Sequence, residues 1–384
     1  MFWYGIEQLF LNHIIGNPSG RAYAIIAFTA TVLVLDIPGG VFADKIGRKM
    51  ALIYASCLQI GGLIVLGLSG TLLFYLLGCV LYGIYISLLN GASQALLYDH
   101  LAETGQTKQY ARQQGRIYAL FLVGAAIANL ASGFIAHHYN LRAPYLVSLV
   151  PAVIALVTLI GIHESPIEKK AANAWYKHAG TVISEIRRHP QILLYSVRFM
   201  AAAILLFTLG EFGQIYILSF GVTTIALGVI WALAALTGAA GRILAHRMQS
   251  FPRTFITLYC LVLGGFMVIQ SWYGIGVFLV FYAFNEALSN IAETEIQHAT
   301  SSHVRATTLS VVGFVGNLMA LPTIALFNRV YAQTGIVNTY RVGALIAIIA
   351  LALTLYKPLR LHKELSRLTH RFVMSTWSLW RSRL

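Results

Sequence analysis

The sequence predicts an all-α polytopic membrane protein in which twelve transmembrane helices form two six-helix bundles. Apolar residues make up 58% of the 384 residues and charged residues only 10%, whereas about a quarter of the residues of a soluble protein are charged. The apolar residues form runs of membrane-spanning length, and the basic residues fall mainly between those runs. Together these observations exclude a soluble globular domain.

A spanning helix needs about 20 apolar residues, and this length divides the chain into twelve segments. The predicted bounds are residues 2–15, 23–43, 50–68, 72–97, 115–136, 144–162, 192–220, 223–244, 254–270, 272–292, 307–330 and 340–356. The first segment would rise only about 21 Å, against about 30 Å of hydrocarbon. Its length favours a truncated or misassigned start.

The distribution of positive charge predicts the orientation of these segments. With the first helix running outward, 22 of the 27 Lys and Arg residues lie in cytoplasmic turns, the central loop and the tail, and four lie in outer loops. Short cytoplasmic loops are enriched in Lys and Arg. We therefore expect a multi-pass protein of the plasma membrane with its central loop and C-terminus in the cytoplasm. The net charge of +14 then reflects membrane orientation and not a nucleic-acid partner.

A long polar stretch in the middle of the chain divides the segments into two sets of six. We predict a first bundle over residues 1–163, a cytoplasmic linker over 164–190, a second bundle over 191–357 and a basic amphipathic tail over 358–384. Such a tail is expected to lie on the lipid bilayer. The His and Cys residues match no zinc-ligand spacing. We expect no metal or other cofactor, and a monomer.

The turn between the second and third segments carries the most specific motif of the chain. It reads Gly40-x-x-x-Asp44-Lys45-x-Gly47-Arg48-Lys49, and Asp36-Ile37-Pro38-Gly39 precedes it. The motif resembles the loop signature of the major facilitator superfamily, in its drug-transporter-like branches. The patterns Ala95–Asp99 and Arg305–Ser310 are also similar to those branches. The resemblance implies two bundles around a central cavity that opens alternately to either side of the membrane.

The resemblance also implies that this turn docks against the start of the eleventh helix when the cytoplasmic side closes. Asp44 would then meet the partial positive charge of a helix N-terminus, and Arg112 or Arg116 would add a charge-assisted bond. The alternative is that Asp44 caps its own helix or offsets the neighbouring cations. The predicted latch comprises Gly40, Asp44, Lys45, Gly47, Arg48, Lys49, Arg112 and Arg116.

Ionisable side chains inside membrane segments are functional candidates because burying them costs free energy. Glu7 and Glu211 lie on the first helix of each half, where the resemblance implies a central cavity, so they are candidates for contacting solute or carrying a proton. Arg198 is their predicted cationic counterpart. For Asp36, an interhelical or gating role fits as well as contact with solute or a proton, and for the neutral groups an interhelical hydrogen bond is the alternative. The predicted set is Glu7, Asp36, Asn90, Gln94, Arg198, Glu211, Gln214, Asn285, Glu286 and Asn317.

These features predict a secondary active transporter of a small organic solute that works by alternating access. The loop resemblance favours proton-coupled efflux, and the alternative is a proton-coupled uptake permease for a metabolite. A non-transporting membrane sensor or scaffold is the alternative from a different class. An enzyme is not expected, because no spacing in the sequence indicates a nucleophile–base pair or a metal site at a membrane face.

Overall fold

The computed structural model describes residues 2–17, 19–106, 109–162, 191–269, 271–300 and 305–355. Within these ranges every regular element is a helix, which confirms the all-α prediction. Within the described ranges the helices form twelve segments, α1 to α12, when short helices that directly follow one another are joined and the last helix is divided where the chain reverses at Gly335. The predicted linker, 164–190, and tail, 358–384, lie outside the described residues.

The first half of the chain contributes six segments. Segment α1, residues 4–15, passes from a 3-10 turn through an α-helical turn to a π-helical turn, with bounds Tyr4–Ile6, Glu7–Phe10 and Leu11–Ile15. The next four are α2 Gly20–Ile46, α3 Arg48–Leu68, α4 Leu72–Glu103 and α5 Tyr110–His138. Segment α6 is broken at Ser148 into Ala143–Val147 and Leu149–Gly161.

The second half contributes the other six. Segment α7, residues 191–218, combines α-helical Gln191–Leu205, π-helical Leu206–Gly210 and α-helical Gly213–Leu218. The next three are α8 Thr224–Met248, α9 Pro252–Val268 and α10 Tyr273–Ala299. The last helix, Arg305–Leu355, is broken at Gly335 into α11, residues 305–334, and α12, residues 336–355.

The helices have the length and composition of a multi-pass membrane protein. Among the described residues, seven are long and apolar enough to cross a bilayer. Because consecutive segments alternate in direction, their turns gather at two ends of the molecule. We call them the Gly16 end, with the turns α1–α2, α3–α4, α5–α6, α7–α8, α9–α10 and α11–α12, and the Gly47 end, with the turns α2–α3, α4–α5, α8–α9 and α10–α11.

Two glycines allow abrupt reversals of the chain. Gly47 separates α2 from α3 with φ 102° and ψ 144°, a region that only glycine adopts readily. Gly335, between α11 and α12, has φ 81°. The motif glycine Gly47 is therefore required by the backbone conformation of a one-residue turn.

Each half has its own apolar core, and α2 joins the two. Trp3, Tyr75 and Tyr145 belong to a cluster built from the first half. The core of the second half surrounds Trp231 and also includes Ala22, from the first turn of α2. The beginning of α2, at the Gly16 end, is thus packed against the other half.

Helices α5 and α8 also join the halves. They cross at a glycine on each helix, so that no side chain separates the two backbones there. A Cβ atom placed on Gly133 would lie 2.6 Å from the carbonyl oxygen of Thr224, and one on Gly228 would lie 2.7 Å from that of Asn129. Small residues of this kind let helix backbones touch inside membranes. Because Gly133 lies five residues before the end of α5 and Gly228 four residues after the start of α8, this contact also lies toward the Gly16 end.

Candidate transport site

A buried charged cluster lies between the two halves near the Gly16 end. The guanidinium of Arg21, on α2, donates from Nη1 to Oε2 of Glu7 on α1 and from Nη2 to Oε2 of Glu211 on α7, both at 2.5 Å. Its Nε also donates to the carbonyl oxygen of Glu211 at 2.6 Å. The Arg21 side chain is 1% exposed and that of Glu211 is 18% exposed. With both carboxylates ionised the cluster carries a net charge of −1.

Tyrosine hydroxyls complete the hydrogen bonding of both carboxylates. Tyr4 donates to Oε1 of Glu211 at 2.7 Å, and Tyr75 donates to Oε1 of Glu7 at 2.8 Å. The Tyr75 hydroxyl also lies 3.0 Å from that of Tyr145. Each of the four carboxylate oxygens therefore has a donor, which offsets part of the cost of burying charge.

A pair of glutamines adds contacts between α1 and α7. The side-chain amide of Gln214 donates to the carbonyl oxygen of Tyr4, and its Oε1 accepts from the backbone N–H of Gln8 at 2.8 Å. The ring of Tyr4 packs edge-on against Trp231 of α8, with centroids 5.6 Å apart. Glu211 and Gln214, both members of the predicted set, thus contact the first half.

A π-helical turn lies beside each carboxylate of the cluster. The π turn Leu11–Ile15 follows Glu7 closely, and Leu206–Gly210 immediately precedes Glu211. The backbone N–H of Glu211 donates to the carbonyl oxygen of Leu206, five residues earlier, at 3.1 Å. Such turns interrupt regular α-helix and are frequent at functional sites. A π turn also changes the rotation of the helix on one of its sides relative to the other.

The two carboxylates differ in where their partners come from. Arg21 and Tyr75, which donate to Glu7, belong to the first half, as Glu7 itself does. Arg21 and Tyr4, which donate to the Glu211 carboxylate, belong to the opposite half. Glu7 is thus bound within its own bundle, whereas Glu211 is bound across the interface.

The cation of this cluster is not the one that the sequence indicated. Arg198 pairs with Glu295 at 3.3 Å, within the second half, and Arg21 takes the role expected of Arg198. The sequence interpretation placed Arg21 in an outer loop. Basic residues are rare on the outer side of the membrane. The presence of Arg21 on that side is the signal that could have drawn attention to it.

The remaining carboxylates of the second half pair with cations of that half. Arg242 on α8 contacts Glu286 at 3.3 Å and Glu293 at 3.2 Å, both on α10. Asn285 accepts a hydrogen bond from the Tyr259 hydroxyl at 2.9 Å. The predicted candidates Asn285 and Glu286 are therefore held within one bundle and lie apart from Glu211.

Three further candidates lie in the Gly47-end part of the first half. Asp36 on α2 and Asn90 and Gln94 on α4 are exposed, and the Asn90 side chain donates to Asp36. Asn317, on α11, is half-buried.

Among the described residues, no group of three or more His, Cys, Asp and Glu side chains is placed to hold a metal ion.

The predicted latch residues make several contacts inside the first half. Arg48 donates to the carboxylate of Asp99 and, at 2.8 Å, to the carbonyl oxygen of Ala95, and Lys49 donates to the carbonyl oxygen of Ile160 at 2.9 Å. The turn lies between Gly40, which is half-buried, and Gly47, which is buried. The side chains of Lys45 and Arg116 are exposed. Those of Asp44 and Arg112 lie outside the described residues. The latch stays a prediction.

The family model described as Major Facilitator Superfamily matches residues 1–324. The chain belongs to the major facilitator superfamily. This membership identifies it as a transporter of small molecules, not an enzyme. A search of curated proteins finds no match.

Solved structures share this major facilitator fold at low sequence identity. A bacterial homologue of the human lysosomal transporter Spinster, inward-facing and unoccupied, has a TM-score of 0.70 at 14% identity over 92% of this chain and 91% of that chain. The nucleoside transporter NupG scores 0.72 at 12% identity over 92% and 94%. A D-xylose–proton symporter scores 0.71 at 12% identity over 92% and 94%. Identities this low support the fold alone.

Proposed function

We propose that this transporter moves a small organic solute by proton-coupled alternating access, with Glu211 as the proton-carrying group and efflux as the direction. The observation that carries the proposal is the distribution of hydrogen-bond partners. Both donors to the Glu211 carboxylate come from the opposite half, whereas both donors to Glu7 come from its own half. A change that separates the halves therefore affects the two carboxylates differently.

Opening of the Gly16 end would expose Glu211 without its partners. To open that end, α1 and α2 must move away from α7 and α8, which removes Arg21 and Tyr4 from Glu211. Glu7 keeps Arg21 and Tyr75. An unpaired charged side chain in a membrane segment costs about 3 kcal/mol or more. Glu211 would therefore take up a proton, or the positive group of a solute, in that state.

Closing of the Gly16 end would return the proton on the other side. When Arg21 approaches again, its ion pair with Glu211 replaces the proton, because a guanidinium stays charged while a carboxyl group can ionise. The released proton then leaves toward the Gly47 end. One cycle carries a proton from the Gly16 end to the Gly47 end, which is inward if the Gly47 end faces the cytoplasm.

Efflux would couple this inward proton movement to outward movement of solute. The exposed groups Asp36, Asn90 and Gln94 supply polar surface in the Gly47-end half, where a cytoplasmic solute would enter. The loop resemblance to drug-transporter-like branches supports this direction. In the alternative, proton-coupled uptake, the same proton step accompanies solute entry.

The test is a solute-panel flux assay in proteoliposomes, with and without an imposed pH gradient. Wild-type protein is expected to drive solute against its gradient only when the pH gradient is present. Glu211→Gln is expected to lose this driven transport but to retain solute exchange at equal pH, because the amide is always neutral. Glu295→Gln is the matched control, since Arg198 pairs with Glu295 within a single half.

Each outcome of this assay bears on a different part of the proposal. Wild-type flux that ignores the pH gradient would remove proton coupling. Driven transport that survives in Glu211→Gln would exclude Glu211 as the carrier. The sign of the coupled flux distinguishes efflux from uptake, and a panel in which no solute moves would leave the fold standing and the function open.

A further inference from the structure

An apolar groove lies on the first half, away from the charged cluster. Helices α2 and α3 diverge from their turn at Gly47, and α4 packs against both and forms the floor between them. The cavity measures about 650 Å³, within the range of about 300–1,000 Å³ typical of ligand pockets. Two lining residues from each helix define it: Leu35, Phe42, Tyr54, Gly61, Leu81 and Ser87.

The mouth of the groove is open to the surface of the molecule. Phe42, Tyr54 and Cys57 line the groove and are exposed, and the rings of Phe42 and Tyr54 lie 6.1 Å apart. In a membrane-spanning bundle an exposed apolar surface of this kind faces lipid. The groove lies in the Gly47-end half of the molecule, because Phe42 is near the end of α2 and Tyr54 near the start of α3.

Two polar groups distinguish this groove from ordinary lipid-facing surface. The hydroxyl of Ser87, on the floor, is buried and has no hydrogen-bond partner among the described residues. Lys45 is exposed one helical turn beyond Phe42. Ser87 packs beside Gly39, which lies about 9 Å along α2 from Lys45 at 1.5 Å per residue. Toward the Gly47 end, the apolar cavity is followed by the Ser87 hydroxyl and then by Lys45. A ligand with an apolar chain, a hydrogen-bond acceptor and a negative group in the same sequence matches these three features.

We propose that the groove binds one acyl chain of an anionic phospholipid from the leaflet at the Gly47 end. The chain fills the apolar cavity, an ester carbonyl accepts the Ser87 hydroxyl, and the phosphate meets Lys45. Anionic lipids are concentrated in the cytoplasmic leaflet and attract Lys and Arg near the membrane surface. The ligand therefore comes from the leaflet that the charge distribution predicts at this end.

A substitution at Gly61 tests the groove with little disturbance to the fold. A Cβ atom placed on Gly61 would meet nothing within 4 Å, and the same is true of Gly264 on α9. Gly61→Phe should fill the groove, and Gly264→Phe is the matched control outside it. The full-length variants would be compared by native mass spectrometry after titration with phosphatidylglycerol or phosphatidylcholine in detergent.

Wild-type protein and Gly264→Phe are expected to retain one phosphatidylglycerol per chain, and Gly61→Phe is expected to lose it. Lys45→Gln should lower the preference for phosphatidylglycerol over phosphatidylcholine about fivefold, the effect of one Lys beside an anionic lipid. If Gly61→Phe does not fold, attachment of a bulky maleimide to Cys57, with Cys79 and Cys260 replaced, blocks the same groove.

Three results would overturn the proposal. Equal lipid retention in wild type and in the blocked groove would show that the lipid binds elsewhere. Equal retention of the two lipids by wild type would exclude recognition of the anionic head group. A wild-type dimer that becomes a monomer when the groove is blocked would identify a second copy of the chain as the occupant.

Discussion

At the scale of single residues, Arg21 joins the two halves near the Gly16 end. Its guanidinium contacts one carboxylate from each half, and its side chain is almost fully buried. Removing it would leave two carboxylates inside the protein without a cation. Loss of one partner from a buried ion pair is strongly destabilising, because the remaining charge stays desolvated.

Arg21→Met is therefore expected to lower the free energy of unfolding by about 3–5 kcal/mol, measured as a lower melting temperature in detergent. Arg247→Met, at an exposed arginine of α8, is the control and should change stability by less than about 0.5 kcal/mol. Adding Glu7→Gln and Glu211→Gln to Arg21→Met should restore most of the loss, since no charge is then left unpaired. Equal melting temperatures for the two single variants would contradict this role of Arg21.

At the scale of secondary-structure elements, the crossing of α5 and α8 brings the backbones of the two halves into contact. Gly133 and Gly228 leave no room for a Cβ atom, because the backbone of the other helix occupies it. Gly124, on the same helix α5, has nothing within 4 Å of its Cβ position. One helix thus offers both a test position and a control.

Gly133→Leu is expected to prevent closure of the Gly16 end, while Gly124→Leu should leave it intact. The measurement is the distance between spin labels at Tyr139 and Tyr273, both exposed near that end, in a variant with the three native cysteines replaced. The distribution for Gly133→Leu should shift to longer distances, because the added side chain separates α5 from α8. Identical distributions for the two variants would exclude the crossing as a determinant of closure.

At the scale of the whole molecule, the contacts between halves described above all lie toward the Gly16 end. The charged cluster, the Tyr4–Trp231 contact and the glycine crossing belong to that end. Asp36, Asn90 and Gln94, which lie nearer the Gly47 end, are exposed. This arrangement suits a transporter closed at the Gly16 end, and the proposed mechanism requires that end to face outward.

Cysteine labelling of intact cells tests this orientation. With the native cysteines replaced, a single cysteine at Tyr139 should react with a membrane-impermeant maleimide added outside. One at Ser250, exposed in the turn between α8 and α9, should react only after permeabilisation, because Lys and Arg favour the cytoplasmic side. The reverse pattern would invert the proposed direction of proton movement.

The sequence by itself determined the class of fold, the segments and the family motif. Insertion into a membrane depends on the apolar content of each run of residues, and this content is a local property. The segments therefore agree with the observed helices to within a few residues at many ends, although α4 extends to Glu103 and α10 to Ala299. Glu7 and Glu211 stood out for a similar reason, since an acid in an apolar segment is costly wherever the helix packs.

Only the tertiary structure decided which charges meet. Arg21 contacts Glu211 across 190 positions of sequence, and Arg198, the cation indicated by the sequence, contacts Glu295 instead. Such pairs depend on the rotation of each helix, which the π turns in α1 and α7 alter, and on the packing of one half against the other. Hydropathy reports how deep a residue lies in the membrane and not which helix it faces, so the ion pairs follow from the packing alone.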